Sequence, residues 1–240
     1  MQAADYWKKL DNIVDDSILW NIPEQKTGRI AVIGGNLENC MVEIKNTEFL
    51  NSLPIKTANL LLPSALQGKL PAFASVYFAD STSSGSFAKS STLENFALDS
   101  DLVFFSGDFS KNSITEIAII DTLRKLHENQ LIVVTRDAVD LISADIQGIL
   151  ERKNLILMAS LVQLQKVFRA ALYPKMILLS MPIFSIIEVL HKFTLSYPCT
   201  ILTFHQNQII LASAGTVYTI PINQTNYTPL TLWSGTLACK

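Results

Sequence analysis

The sequence predicts an α/β fold in three layers, a mainly parallel sheet between helices, with a small antiparallel edge meander near residues 199–220. Three observations carry that expectation. Short apolar runs at 29–33, 101–106 and 131–135 each end in glycine or a polar turn, as strands buried on both faces do. Helical stretches separate these runs, and such alternation calls for parallel crossovers. After residue 199 the strand-like runs follow one another across short turns, which fits hairpins.

Taken in order, the first 20 residues read as an amphipathic helix, with Tyr6, Leu10, Ile13 and Val14 at helical spacing. A polar linker, PEQKTG, leads into RIAVI at 29–33 and the Gly34-Gly35 turn. Residues 59–62 are a strand candidate stopping at Pro63, and 74–79 another running into the serine-rich loop 81–91. Residues 101–106 run into Gly107. The strongest helix is 113–129, where Ile114, Ile117, Ile120 and Leu123 recur and Ser113 offers an N-cap oxygen. Residues 131–135 run into Arg136-Asp137, ahead of a short helix at 138–142, and 155–158 is a further apolar run. The most apolar stretch, 176–187, has 12 residues and contains Pro182. A membrane span needs about 20, so a buried helix is expected there. Residues 200–203, 208–212 and 216–220 make the meander.

The 240 residues are 49% hydrophobic and 17% charged, enough for one sizeable domain over 1–240 and for an apolar surplus that suits a partner surface. A homo- or hetero-oligomer is therefore expected. Net charge is −2 and the 19 Lys and Arg are scattered, so no nucleic acid is expected as a partner. Cys40, Cys199 and Cys239 show neither metal spacing nor a disulfide framework, which points to the cytoplasm. The N-terminus lacks the apolar core of a signal peptide, and no membrane partner is expected. His127, His191 and His205 have no partner at ligand or base spacing, so no metal site is expected. No G-x-S-x-G, Walker loop or complete G-x-G-x-x-G occurs.

In an open α/β sheet, ligands bind at the carboxyl ends of the strands. Those ends carry Gly34-Gly35-Asn36, Asp80, Gly107-Asp108 and Arg136-Asp137. Gly34-Gly35 reads as a phosphate cradle or as a tight strand-to-helix turn. Gly107-Asp108 reads as a nucleotide-side loop, or as a loop whose Ser110 or Ser113 caps the next helix. Asp137 reads as a contact to a ribose or a metal-bound water, or as an N-cap for 138–142.

GRIAVIGGN at 28–36 resembles the K-x-x-x-G-x-V-x-V-I-G-G-S opening of the ADP/ATP-dependent NAD(P)H-hydrate dehydratases, members of the ribokinase-like superfamily. DSDLVFFSGDFSKNS at 99–113 is similar to their D-A-V-V-I-G-P-G-L-G segment, and LIVVTRDAVDLI at 131–142 to P-L-V-L-D-A-D-A-L-N-L-L. The three stand in family order and spacing, and the likeness covers the chain from about Lys26 onward. It implies a nucleotide, ADP or ATP with Mg, lying across the strand ends. The implied chemistry is phosphorylation of the hydroxyl of hydrated NADH or NADPH followed by elimination. That step needs an Asp as general base and a glycine-rich helix N-terminus. The residues themselves commit to no cofactor. On this footing the candidate nucleotide or substrate contacts are Gly34, Gly35, Asn36, Gly107, Asp108, Asp137, Ser234 and Gly235.

The sequence departs from the family where chemistry is done. The G-G-T-G-D-V-L-A-G motif falls on TLWSGTLAC at 231–239, with Gly235 or a gap in place of the Asp, and none of the 52 residues after Glu188 is acidic. The family's T-P-H-P-G-E falls on MASLVQ, so its His and Glu become Ser160 and Gln163. Its L-K-G becomes Leu202-Thr203-Phe204. The first Asp of D-A-D-A-L becomes Thr135, and only the second survives, as Asp137. Gly107 matches one glycine of G-P-G-L-G. Lys240 falls about one turn into the helix that follows the motif in the family. The expectation is a degenerate relative with no catalytic residue, acting as a binding or assembly subunit. The alternatives are a weakly active dehydratase using Asp108 or Asp137 as base, or a non-catalytic nucleotide-binding module.

Overall fold

The computed structural model describes residues 5–10, 27–70 and 75–222. In chain order the strands are β1 (Trp7–Lys9), β2 (Thr27–Gly34), β3 (Ile55–Pro63), β4 (Val76–Ala79), β5 (Leu102–Gly107), β6 (Leu131–Thr135), β7 (Leu155–Met158), β8 (Thr200–His205), β9 (Gln208–Ser213) and β10 (Thr216–Pro221). The α-helices are α1 (Met41–Asn51), α2 (Ser91–Leu98), α3 (Ser113–Lys125), α4 (Asp137–Ile142), α5 (Ile146–Leu150), α6 (Leu161–Ala170) and α7 (Ile183–Ser196).

All ten described strands form one sheet in the order β1-β10-β9-β8-β7-β6-β5-β2-β3-β4. The seven strands from β8 to β4 are parallel, while β8, β9 and β10 make antiparallel hairpins. Apolar runs such as Ile132 to Val134 in β6 are buried on both sides of the sheet, as parallel strands require. One face carries a large core to which α2 to α7 contribute, with Leu93, Ile119, Val139, Ile149, Phe168 and Phe193 among its members. The other face holds a smaller core under α1, where Ile44 and Leu50 meet Val32, Leu60 and Phe104.

Several expectations are corrected. Residues 7–9, read as part of a helix, form a strand that pairs in parallel with β10; most of the remaining N-terminal stretch lies outside the described residues. The meander is present, but β1 covers it, so the sheet ends on β1 and not on β10. Asn112, not Ser113 or Ser110, caps α3 by accepting from the Ile114 N–H. That helix stops at Lys125, four residues before the expected end. Asp137 is the first residue of α4 and gives it no side-chain cap. The run 176–187 becomes helical only from Ile183, because Pro182 precedes it, and Phe184 is 61% exposed. Among the described residues, no helix is long and apolar enough to cross a membrane.

Strand order reverses between β2 and β5. From β2 the chain builds outward through β3 and β4, then returns to β2's other side and builds outward through β5, β6, β7 and β8. The crevice at the carboxyl ends of β2 and β5 is the place where such a sheet accepts ligands.

Candidate functional site at the sheet switch point

Close backbone approach defines this crevice. Gly34 lies opposite Gly107 at the end of the β2–β5 pair. A β-carbon on Gly34 would fall 2.6 Å from the Gly107 carbonyl oxygen and 2.9 Å from Glu43 Cγ, so only glycine fits. The Gly35 N–H donates to the Gly107 carbonyl at 2.9 Å. Asn36 Oδ1 accepts from the N–H groups of Glu38 and Asn39 at 2.8 and 3.0 Å, which turns the chain towards α1. The polar groups of this exit are thus directed at the chain itself.

The β5 exit has a left-handed backbone, with φ of 112° at Gly107, 56° at Asp108 and 61° at Ser110. Non-glycine residues hold such angles only where surrounding contacts impose them. Here the contacts come from α4. The successive N–H groups of Asp108 and Phe109 donate to Asp137 Oδ1 and Oδ2 at 2.6 and 2.9 Å. Backbone N–H groups aimed at one point make an anion site, and an internal carboxylate fills this one.

Arg136, at φ 53°, closes the mouth. Its guanidinium grips Asp108 with both prongs, Nη1 to Oδ2 at 2.9 Å and Nη2 to Oδ1 at 2.6 Å. Nη1 also donates to Glu43 Oε1 at 3.3 Å. Asn39 Nδ2 adds a bond to Asp108 Oδ2 at 2.8 Å. The Arg136 and Asp108 side chains are only 13% and 15% exposed, and Glu43 is fully buried. Gln163 Nε2 holds the Arg136 carbonyl at 2.5 Å and Asp140 Oδ2 at 3.0 Å, while Ser160 and Gln163 form a reciprocal capping box on α6. Of the two positions where the family resemblance places a His and a Glu, Gln163 therefore braces Arg136 from behind, and Ser160 holds Gln163. Thr135, in place of an Asp, donates to the Ser106 carbonyl at 3.0 Å.

Glu43 has the most unusual electrostatics. Ser106 Oγ donates to Oε1 at 3.2 Å, whereas Oε2 is buried with no partner among the described residues. Burial first, and then the negative charge of Asp108, push its pKa up to about 8 against the pull of Arg136 and Ser106. A carboxyl raised this far holds its proton more readily near neutral pH, which weakens the charge in its 3.3 Å contact with Arg136. Burial also raises Asp137, against its two backbone bonds. The Cys40 thiol is raised by burial, then by the charges of Glu43 and Asp108.

Of the candidate residues, Gly34, Gly35, Asn36, Gly107, Asp108 and Asp137 converge on this crevice. Ser234 and Gly235 lie outside the described residues. Asp80 is exposed at the β4 exit. Sequence reasoning missed Glu43, Asn39, Ser106 and the role of Arg136 as a plug. The Arg-Asp pair directly after an apolar strand was the one available signal. Among the described residues, no cluster of His, Cys, Asp and Glu could hold a metal ion.

No protein-family model and no curated protein matches the sequence. Solved structures do match the fold. A ribokinase-like superfamily protein of Enterococcus faecalis is 14% identical, with a TM-score of 0.62 over 89% of this chain and 71% of that one. A hypothetical protein of Streptococcus mutans is 14% identical, with a TM-score of 0.58 over 87% and 73%. The ADP/ATP-dependent NAD(P)H-hydrate dehydratase of Bacillus subtilis is 12% identical, with a TM-score of 0.52 over 88% and 72%. The fold is therefore ribokinase-like; at these identities the likeness is one of architecture.

Proposed function

We propose that this chain is a degenerate relative of the NAD(P)H-hydrate dehydratases that transfers no phosphoryl group and works as a binding or assembly subunit. The observation that carries this reading is the filled crevice: Asp137 occupies the β5 N–H groups, and the Arg136–Asp108 pair lies over the strand ends. A general base must reach the proton it takes with a free lone pair. Asp108 is gripped by the Arg136 guanidinium and Asn39, and Asp137 by two backbone N–H groups, so both carboxylates are turned towards the chain's own donors. Engaged in this way, neither is a ready general base, which disfavours the weakly active alternative.

The test is an assay of purified protein with ATP or ADP, Mg and hydrated NADH, following NADH recovery and phosphate release. No turnover above the uncatalysed background is expected. Turnover that disappears in Asp137→Ala would establish an active enzyme and overturn the reading.

A further inference from the structure

The plug is built around a buried acid that it only half uses. Arg136 spends both prongs of its fork on Asp108 at 2.9 and 2.6 Å, and leaves Glu43 a single contact at 3.3 Å. Glu43 Oε2 is buried without a partner among the described residues. A buried charge short of partners is costly, which favours the neutral acid at Glu43. Ionised, it would compete with Asp108 for one guanidinium, in a site where Asp137 also stands close to Gly107 and Arg136.

Among the described residues, the charged and titratable groups acting with Glu43 are Arg136 from the β6 exit, Asp108 from the β5 exit and Cys40 at the start of its own helix, while Asp137 at the start of α4 stands behind Gly107. The facing segment of β2, at Gly34, brings none. Asp108 is the member able to yield. It is held by Arg136 and Asn39, sits at φ 56°, and is itself slightly open to solvent. Strained residues of this kind persist only while their contacts over-determine them.

We infer that Glu43 is a proton-controlled latch on the switch-point plug: neutral Glu43 leaves Arg136 to Asp108, and ionised Glu43 draws the guanidinium inward and releases Asp108, loosening the 107–110 loop. The proton leaves to solvent and no covalent bond changes. The latch holds whether or not the crevice turns over any substrate. Its transition belongs near pH 8, where Glu43 titrates.

Hydrogen exchange of the full chain tests it, with protection factors for the Asp108 and Phe109 amides followed from pH 6.5 to 9.5 and corrected for the intrinsic rate. Protection in the wild type should fall at least tenfold across the transition. Glu43→Gln, which cannot ionise, should hold a flat profile. Ser106→Ala removes a hydrogen bond that favours the ionised acid and should move the transition to higher pH, giving a second readout if Glu43→Gln fails to fold. Constant protection in the wild type, the same fall in Glu43→Gln, or an unmoved transition in Ser106→Ala each overturns the latch.

Discussion

At Asp108 three donors converge on two oxygens, and the backbone is held left-handed to allow it. Removing one partner of such a largely buried pair strands the other charge, at a cost of about 3–5 kcal/mol. Asp108→Ala should therefore lose roughly that much stability in urea unfolding; a change below about 1 kcal/mol would mean that solvent already screens the pair. Glu43 makes a different, pH-dependent contribution. Its ordinary value of 4.5 is raised to about 8 in the fold. The folded state thus keeps a proton that the unfolded chain has lost between those values. Stability from this group is complete below the lower value and declines as pH rises towards the upper one, by about 1.4 kcal/mol per pH unit at most. Wild type measured against Glu43→Gln should show this loss between pH 5 and 8. Parallel curves would place the Glu43 carboxyl at an ordinary value.

The strands and the short helix α4 were the most legible elements, because an apolar run such as LIVV has few alternatives once glycine or charge bounds it. β1 was not legible. Tyr6 and Leu10 fit helical spacing, but partners more than 170 residues away determine the local structure. Tyr6 stacks on His191 at 3.9 Å, Trp7 Nε1 donates to Thr219 Oγ1 at 2.9 Å, and Trp7 meets Phe184 edge-on at 4.8 Å. Long-range pairing of this sort overrides a weak local preference. Trp7→Ala should cost roughly 1–2 kcal/mol through the lost bond and ring contact, read as a fall of several degrees in melting temperature. An unchanged melting temperature would mean that β1 adds nothing to the sheet. The site was legible only in its backbone. Gly34, Gly107 and Asp137 lie where strand ends predict them, whereas Glu43 carries no mark because its role arises from burial, which no spacing reports. Ser160 and Gln163 read as losses of family residues, yet in the fold they acquire a bracing role through the capping box.

For the whole molecule, the sheet places the reversal of strand order beside β2 and β5, and the chain fills that crevice with its own groups. Asp137 supplies the anion, Arg136 the cation and Asp108 the counter-charge. The fold is shared with ribokinase-like proteins, while the crevice of this chain is braced shut from α1, α4 and α6. On the proposed reading, this plug leaves no place for a nucleotide. Its most direct test is the melting temperature of the purified protein with ATP or ADP and Mg at millimolar concentration, since a ligand that binds only the folded state must raise it. The expected result is no shift with either nucleotide; a rise that grows with nucleotide concentration would contradict the account.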